Sequence, residues 1–168
     1  MKILLINPKT DLPVSNPIQI PPGLAYIAAV LEKDGHEVSV FDTTVEDRSL
    51  DEELEKAPDL VGITANTATI EHAWEIAARV KKAIDTTVVL GGPHPTILPD
   101  ESLSLLEIDI VVRGEGEETV IELCRKLEEG KDIEGVKGIS FKRNGKIVHT
   151  PHRPLIEDLD KLPYPAYH

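Results

Sequence analysis

The stretch VVLGGPHPT, residues 88–96, passes from an apolar run into two adjacent glycines and then into Pro93, His94 and Pro95. A run of β-branched and aliphatic residues that is bounded by glycine and proline predicts a buried β-strand. Because Gly91 and Gly92 carry no Cβ, the backbone at the end of this strand can come close to another group. The stretch therefore predicts a strand that ends at a close contact, and the neighbouring stretches indicate what is approached.

Further apolar runs of similar length flank this strand, which covers 86–92. They are KILLIN at 2–7, EVSVFD at 37–42, DLVGIT at 59–64 and DIVVRG at 109–114. EVSVFD is the weakest, and the others are nearly continuous in apolar residues. Such continuity is typical of strands that are buried on both faces of a sheet.

Helical patterns lie between the runs, and Gly35 and Gly130 follow two of them as C-terminal stop signals. Three stripes place apolar residues three or four positions apart, and shorter helices are predicted over 50–56 and 99–106. The stripes are Leu24, Ile27, Ala28 and Leu31; Ile70, Ala73, Trp74, Ala77, Val80 and Ile84; and Val120, Leu123, Cys124 and Leu127. Alternating strands and helices predict a flavodoxin-like (Rossmann-like) α/β fold, a doubly wound five-stranded parallel sheet in the order 2-1-3-4-5.

The pattern changes after residue 130. Two alternating runs flank Asn144-Gly145, a pair that is a strong signal for a β-hairpin. The last stretch, PHRPLIEDLDKLPYPAYH, is rich in proline and predicts a linker rather than a regular element. We therefore expect an α/β domain over 1–130, a hairpin extension over 131–150 and a linker over 151–168.

Composition excludes several classes of function. The net charge of −12 argues against binding to nucleic acid or to an anionic membrane surface. No apolar run approaches the roughly 20 residues of a membrane span, and the first residues do not form a signal peptide. The single cysteine, Cys124, excludes an internal disulfide and a cysteine-only metal site. We therefore predict a cytoplasmic protein.

The residues that follow the strands differ between the two edges of the predicted sheet. Small and hydrogen-bonding residues follow the carboxyl ends, in NPKTDLPVSNPIQIPPG at 7–23, TANTAT at 64–69, GGPHPT at 91–96 and GEGEET at 114–119. Ordinary charged turns occupy the other edge. Because open α/β sheets bind ligands at the carboxyl ends of their strands, this asymmetry predicts a ligand site there.

Each of these residues also has a structural interpretation. Thr64, Asn66 and Thr67 are residues that cap helices, and Gly91-Gly92 is compatible with a plain turn. His94 is compatible with an exposed loop, and Arg113 with a local ion pair. The common nucleotide sites are absent from the sequence, since there is no G-x-x-x-x-G-K-[ST], and G-x-G-x-x-G does not follow the first strand. An aspartate phosphorylation site and a G-x-S-x-G nucleophile are absent as well.

Four stretches taken together, PPGLAYIAAVLEKDGHEV, DLVGITANTAT, VVLGGPHPT and DIVVRGEGEETVIEL, resemble one family. They are similar to the N-terminal cobalamin-binding domain of cobalamin-dependent radical S-adenosylmethionine enzymes. The resemblance runs from Met1 to about Leu127, and the tail LIEDLDKLPYPAYH continues it.

The resemblance implies a corrin ring across the carboxyl edge and a nucleotide tail that runs into the sheet beside strands 3 and 4. On that pattern Thr64, Asn66 and Thr67 hydrogen-bond the tail, and Gly91 and Gly92 leave room for it. Pro93 and His94 line the ring edge, Gly114, Glu115 and Gly116 offer backbone groups to the corrin amides, and the loop from Asn7 to Gly23 borders the ring. The predicted cofactor-binding set is Asn7, Pro22, Gly23, Thr64, Asn66, Thr67, Gly91, Gly92, Pro93, His94, Arg113, Gly114, Glu115 and Gly116.

Two departures from related patterns refine this expectation. Many cobalamin carriers have D-x-H-x-x-G after strand 1, whereas this chain has NPKTDLP, which implies base-off cobalamin without a histidine ligand. DGHEVS at 34–39 imitates the motif at the wrong edge of the sheet.

The chain also lacks the C-x-x-x-C-x-x-C that holds a 4Fe-4S cluster. The cluster, S-adenosylmethionine and the methyl transfer or cyclisation are therefore expected in a C-terminal radical domain of a longer enzyme. The alternatives are a stand-alone carrier or sensor for another flat cofactor or nucleotide, and a structural docking domain.

Overall fold

The structure is a computed structural model that describes residues 1–10, 21–45 and 48–168. Seven strands form one sheet: β1 (Lys2–Asn7), β2 (Glu37–Asp42), β3 (Leu60–Thr64), β4 (Thr87–Gly91), β5 (Ile110–Val112), β6 (Ile139–Arg143) and β7 (Lys146–His149). Their order is β2-β1-β3-β4-β5-β6-β7. The first five strands pair in parallel, in the order expected from the alternation of strands and helices.

The predicted five-stranded sheet is corrected to a sheet of seven strands. β6 pairs antiparallel with β5, with Ile110 opposite Phe141, and β7 pairs antiparallel with β6. Ile139, Ser140 and Phe141 are buried, so the first strand of the hairpin is an integral part of the sheet. It covers the edge of β5, whose backbone groups would otherwise lack partners on that side.

Six α-helices connect or cover the strands in the described part of the chain. They are α1 (Pro22–Lys33), α2 (Leu50–Leu54), α3 (Ile70–Ala83), α4 (Pro93–Ile97), α5 (Pro99–Ser104) and α6 (Glu117–Glu128), with a 3₁₀ turn at Leu159–Lys161. The longest of them, α3, has 14 residues. None of these described helices has the length and hydrophobicity of a transmembrane segment.

Helix α4 was not expected, because its proline-rich sequence is typical of a loop. Pro93 occupies its first turn, where a missing N–H costs nothing. The hydroxyl of Thr96 donates to the carbonyl oxygen of Gly92 (2.8 Å) and closes the turn. The residues that follow β4 therefore form a short helix instead of an open loop.

Alternate residues of the strands fill two cores on opposite faces of the sheet. Leu4 and Ile6 belong to the core beneath α2 and α3, whereas Ile3 and Leu5 belong to the core beneath α1 and α6. This alternation follows from the pleat of a strand, which sends successive side chains to opposite faces. The face beneath α1 and α6 carries the site described next.

Candidate functional site

A cavity of about 360 Å³ lies between the sheet and the helices α1 and α6. We call it the slot. Its walls come from β1, β3, β4 and β5 on one side and from the two helices on the other. The loops that follow β4 and β5 form its mouth, with Pro93, Gly114, Glu115 and Gly116 among the lining residues. The mouth therefore lies at the carboxyl edge, where the sequence predicts a ligand.

The floor of the slot is formed by the two central strands, β3 and β4, whose residues next to the mouth are small. Gly62 and Thr64 of β3 line it, and Gly91 of β4 lies beside Thr64 in the parallel register. A Cβ built on Gly91 would have only the carbonyl oxygen of Val112 within 4 Å, at 4.0 Å. The missing side chain of Gly91 therefore leaves open space that belongs to the slot.

The slot extends along the length of β3, from Thr64 at its carboxyl end to Leu60 at its start. At about 3.3 Å per residue, this span is about 13 Å. The end away from the mouth, which we call the inner half, is lined by Leu5, Leu31, Leu60, Gly62, Val89, Leu123 and Cys124. Burial raises the pKa of the Cys124 thiol to about 12, so the thiol stays uncharged. The inner half therefore suits an apolar group.

The role predicted for Gly92 requires a correction. Gly92 lines the slot, but its φ is +105°, and a Cβ there would lie 2.5 Å from the carbonyl oxygen of Ala65. The protein's own backbone, rather than a ligand, thus requires glycine at this position. Of the adjacent pair, Gly91 creates the room and Gly92 allows the turn.

Six predicted site residues do not line the slot: Asn7, Pro22, Asn66, Thr67, His94 and Arg113. The side-chain amide of Asn7 donates to Asp42 (3.1 Å) at the end of β1. The side-chain oxygen of Asn66 accepts from the backbone N–H groups of Ala68 and Thr69, which forms the turn before α3. Pro22 is the first residue of α1. Of the loop predicted to border a ring, residues 11–20 lie outside the described residues.

His94 is buried beside the slot rather than in it. Its Nδ1 lies 3.4 Å from the hydroxyl of Thr67, and its Nε2 lies 3.9 Å from a carboxylate oxygen of Glu101. The imidazole thus contacts the loop after β3 and helix α5. The prediction that His94 lines the ligand is not supported by this position.

Arg113 is also placed differently from the prediction. Its guanidinium donates to the carbonyl oxygens of Ile139 (2.9 Å) and Thr150, and its burial lowers the pKa of the group. The hairpin of β6 and β7 lies beside β5 and presents these carbonyls to it. The two hydrogen bonds of Arg113 therefore stabilise the packing of the hairpin against β5.

Gly62 and the helix residues that cover the slot, such as Ile27 and Leu123, were not predicted as site residues from the sequence. A Cβ at Gly62 would lie 2.8 Å from Cδ2 of Leu5, so even alanine would displace Leu5 within the slot. A glycine inside a buried strand was the available signal, because it often marks a close approach. The helix residues gave no such signal, since their spacing indicates only a core-facing stripe.

The fold and the slot define a doubly wound α/β domain with a cavity between its sheet and two helices that opens at the carboxyl edge, where folds of this class bind ligands. The family model described as "B12 binding domain" matches residues 10–124. The chain therefore belongs to the B12-binding domain family.

Individual relatives agree with this assignment. The chain is 39% identical over 178 residues to an uncharacterised methyltransferase of Pyrococcus horikoshii, covering 99% of this chain and 38% of the relative. It is 37% identical to an anaerobic magnesium-protoporphyrin IX monomethyl ester cyclase of Rubrivivax gelatinosus, covering 84% of this chain and 28% of the relative. The chain thus spans less than half the length of these relatives.

A solved structure shows the same arrangement. The radical S-adenosylmethionine methyltransferase TsrM of Kitasatospora setae, determined with cobalamin and a 4Fe-4S cluster bound, superposes with a TM-score of 0.76 at 27% identity. The match covers 97% of this chain and 31% of TsrM. The domain described here therefore corresponds to about a third of that enzyme.

Proposed function

We propose that this domain binds cobalamin, with the nucleotide tail in the slot and the corrin ring over the carboxyl edge of the sheet. The observation that carries the proposal is the floor formed by Gly62, Thr64 and Gly91 beneath α1 and α6. These small residues leave room for a tail to enter between the strands and the helices. This floor runs inward from the edge where the family resemblance puts the ring.

The residues present fit such a group in size and in chemistry. The volume of about 360 Å³ lies within the range of roughly 300–1,000 Å³ that is typical of small-molecule sites. The hydroxyl of Thr64 can donate one hydrogen bond and accept up to two at the mouth, where the polar part of the tail would enter. Gly114 has φ +76°, and an added Cβ would have nothing within 4 Å, so the space at its Cα is open to a ring above it, while its N–H donates to the hydroxyl of Thr96 (3.0 Å).

We propose that no histidine of this chain ligates the metal. The sequence has no histidine before His36, so the loop after β1 supplies none. His94, which follows β4, is buried against Thr67 and Glu101. Bound cobalamin would supply methyl-transfer chemistry at cobalt. The residues of this chain would provide no strong ligand to the lower face of that cobalt.

The partner in this proposal is a radical S-adenosylmethionine domain in the same polypeptide, which would hold the 4Fe-4S cluster and S-adenosylmethionine. TsrM, with cobalamin and a cluster in one enzyme, supports it, as does the greater length of the relatives. Residues 151–168 would form the link between the domains. The reaction of the whole protein would be a methyl transfer or a cyclisation in the cytoplasm.

The test is binding of hydroxocobalamin to the purified chain, followed by desalting and a visible spectrum. The protein fraction should carry a corrin band, and cobinamide, which lacks the nucleotide tail, should be retained much less. Equal retention of cobinamide would contradict a tail in the slot, and a fraction without corrin would contradict the proposal as a whole.

The state of the cobalt is tested on the same complex after reduction to Co(II). The electron paramagnetic resonance spectrum should lack nitrogen superhyperfine splitting, because neither a histidine nor the benzimidazole would ligate the metal. A nitrogen triplet on each cobalt line would show an axial nitrogen ligand and would contradict the base-off state without a histidine ligand.

A further inference from the structure

The inner half of the slot differs from its mouth in chemistry. Its side chains are aliphatic, apart from the Cys124 thiol, whose pKa is raised to about 12 by burial. A thiol is at most a weak hydrogen-bond donor. No other hydrogen-bonding side chain is present among the described residues that line the inner half. The mouth, in contrast, carries the hydroxyl of Thr64 and the carboxylate of Glu115.

The backbone does not compensate for this apolar lining. Strand β3 lies between β1 and β4, and β4 lies between β3 and β5, so the N–H and C=O groups of their central residues serve the sheet. Leu31 and Leu123 lie within helices, whose backbone groups serve the helix. A polar atom that entered the inner half would therefore lose its bonds to water without gaining others.

We propose that the inner half selects cobalamin-type cofactors by their lower base, accepting an apolar aromatic base such as dimethylbenzimidazole and rejecting a purine. The proposal rests on the proposed function, because it assumes that the nucleotide tail occupies the slot. It goes further by naming which tails fit. Leu60, Val89 and Leu123 are the residues that set the preference.

The physical reason is the cost of burying polar atoms without partners. Dimethylbenzimidazole offers methyl groups and ring carbons to the leucine side chains, which are favourable apolar contacts. Adenine brings an exocyclic amine and additional ring nitrogens, all of which are hydrogen-bonded in water. Each unsatisfied group weakens binding by about 1–3 kcal/mol, which corresponds to about 5-fold to 150-fold in affinity.

The test compares the dissociation constants of cobalamin and of the adenine-containing analogue, pseudocobalamin, for the whole chain. We expect cobalamin to bind at least about 10-fold more tightly. Equal affinities would overturn the inference while leaving cobalamin binding intact. Failure of the proposed function would look different, because cobalamin would then not bind, or cobinamide would bind as well as cobalamin does.

A pair of matched variants locates the preference. Val89 lines the inner half, whereas Val88 is buried in the core on the opposite face of the sheet. Val89→Thr places a hydroxyl beside the base and should lower the cobalamin preference about 3-fold or more, because the purine gains one partner. Val88→Thr makes the same change away from the slot and should leave the ratio unchanged.

A cooperative thermal unfolding transition in each variant would establish that it folds, and the ratio of the two affinities cancels any shared loss of binding-competent protein. An unchanged ratio in Val89→Thr, or an equal change in Val88→Thr, would contradict the assignment of the inner half.

Discussion

At the scale of single residues, the two adjacent glycines of β4 serve different ends. Gly91 faces open space in the slot. At Gly92, an added Cβ would lie only 2.5 Å from the carbonyl oxygen of Ala65. A side chain at Gly91 would occupy the place of a ligand. A side chain at Gly92 would oppose the turn into α4.

Gly92→Val should therefore destabilise the fold itself. The φ of +105° is strained for any β-branched residue, and the clash with Ala65 adds to that strain. We expect the free energy of unfolding in urea to fall by about 2–4 kcal/mol. Gly135→Val is the matched control, since a Cβ at exposed Gly135 has nothing within 4 Å. Similar midpoints for Gly92→Val and the wild type would contradict this account of the turn.

Cys124 should be almost unreactive in the folded protein. Burial raises the pKa of its thiol to about 12, so at pH 8 about one thiol in 10⁴ is ionised, and only the thiolate reacts. With a single cysteine in the chain, the reaction with iodoacetamide reports this site alone. Alkylation at pH 8 should be at least about 10³-fold slower than in urea, and comparable rates in the two conditions would show that the thiol is exposed.

At the scale of elements, residues 151–168 are fastened to the helices that roof the slot, although their sequence predicts a linker. Nε of Arg153 donates to the hydroxyl of Thr119 (2.9 Å), and its guanidinium pairs with Glu122. Farther along, the N–H of Ile156 donates to Glu115 (2.6 Å), and the N–H of Ala166 donates to the carbonyl oxygen of Ala25 (3.0 Å). The segment thus lies along α6 and reaches the first turn of α1.

Arg153→Ala should loosen this segment without unfolding the sheet. The side chain is only 15% exposed, and its bonds to Thr119 and Glu122 hold the start of the segment. Amide hydrogen exchange over 153–166 should become at least about 10-fold faster, which corresponds to about 1.4 kcal/mol of local stability. Arg79→Ala removes an exposed pair with Asp51 and should change nothing measurable. Unchanged exchange in Arg153→Ala would show that other contacts hold the segment.

The sequence predicted the regular elements well and their contacts less well. Apolar continuity and helical spacing located β1 to β5 and the long helices, because these patterns reflect burial directly. The helix α4 was missed because proline suits both a loop and a helix start. The pairing of β6 with β5 was missed because an edge that needs cover is a property of the assembled sheet, and residues far apart in sequence provide the cover.

At the scale of the whole molecule, the slot is a gap between two layers. Gly91 contributes open space to it because it lacks a side chain, whereas the side chain of Leu5 occupies the place that a Cβ of Gly62 would take. The sequence indicated that the ligand site lies at the carboxyl edge of the sheet. In the structure, however, the side chains of Asn66 and His94 contact the loop after β3, and that of Arg113 contacts the hairpin. Asparagine, histidine and arginine can each bind a ligand or bond to the protein itself, and only the direction of the side chain distinguishes these two roles.

The most direct test of the account is a spectrophotometric titration of hydroxocobalamin into the wild type, Gly91→Val and Gly135→Val. A valine at Gly91 meets no protein atom closer than 4.0 Å at its Cβ, so the variant should fold and yet fill the slot. We predict saturable binding by the wild type and Gly135→Val, and affinity weaker by at least about 100-fold in Gly91→Val, because the tail and the side chain would overlap. Undiminished binding by a folded Gly91→Val would contradict a nucleotide tail in the slot.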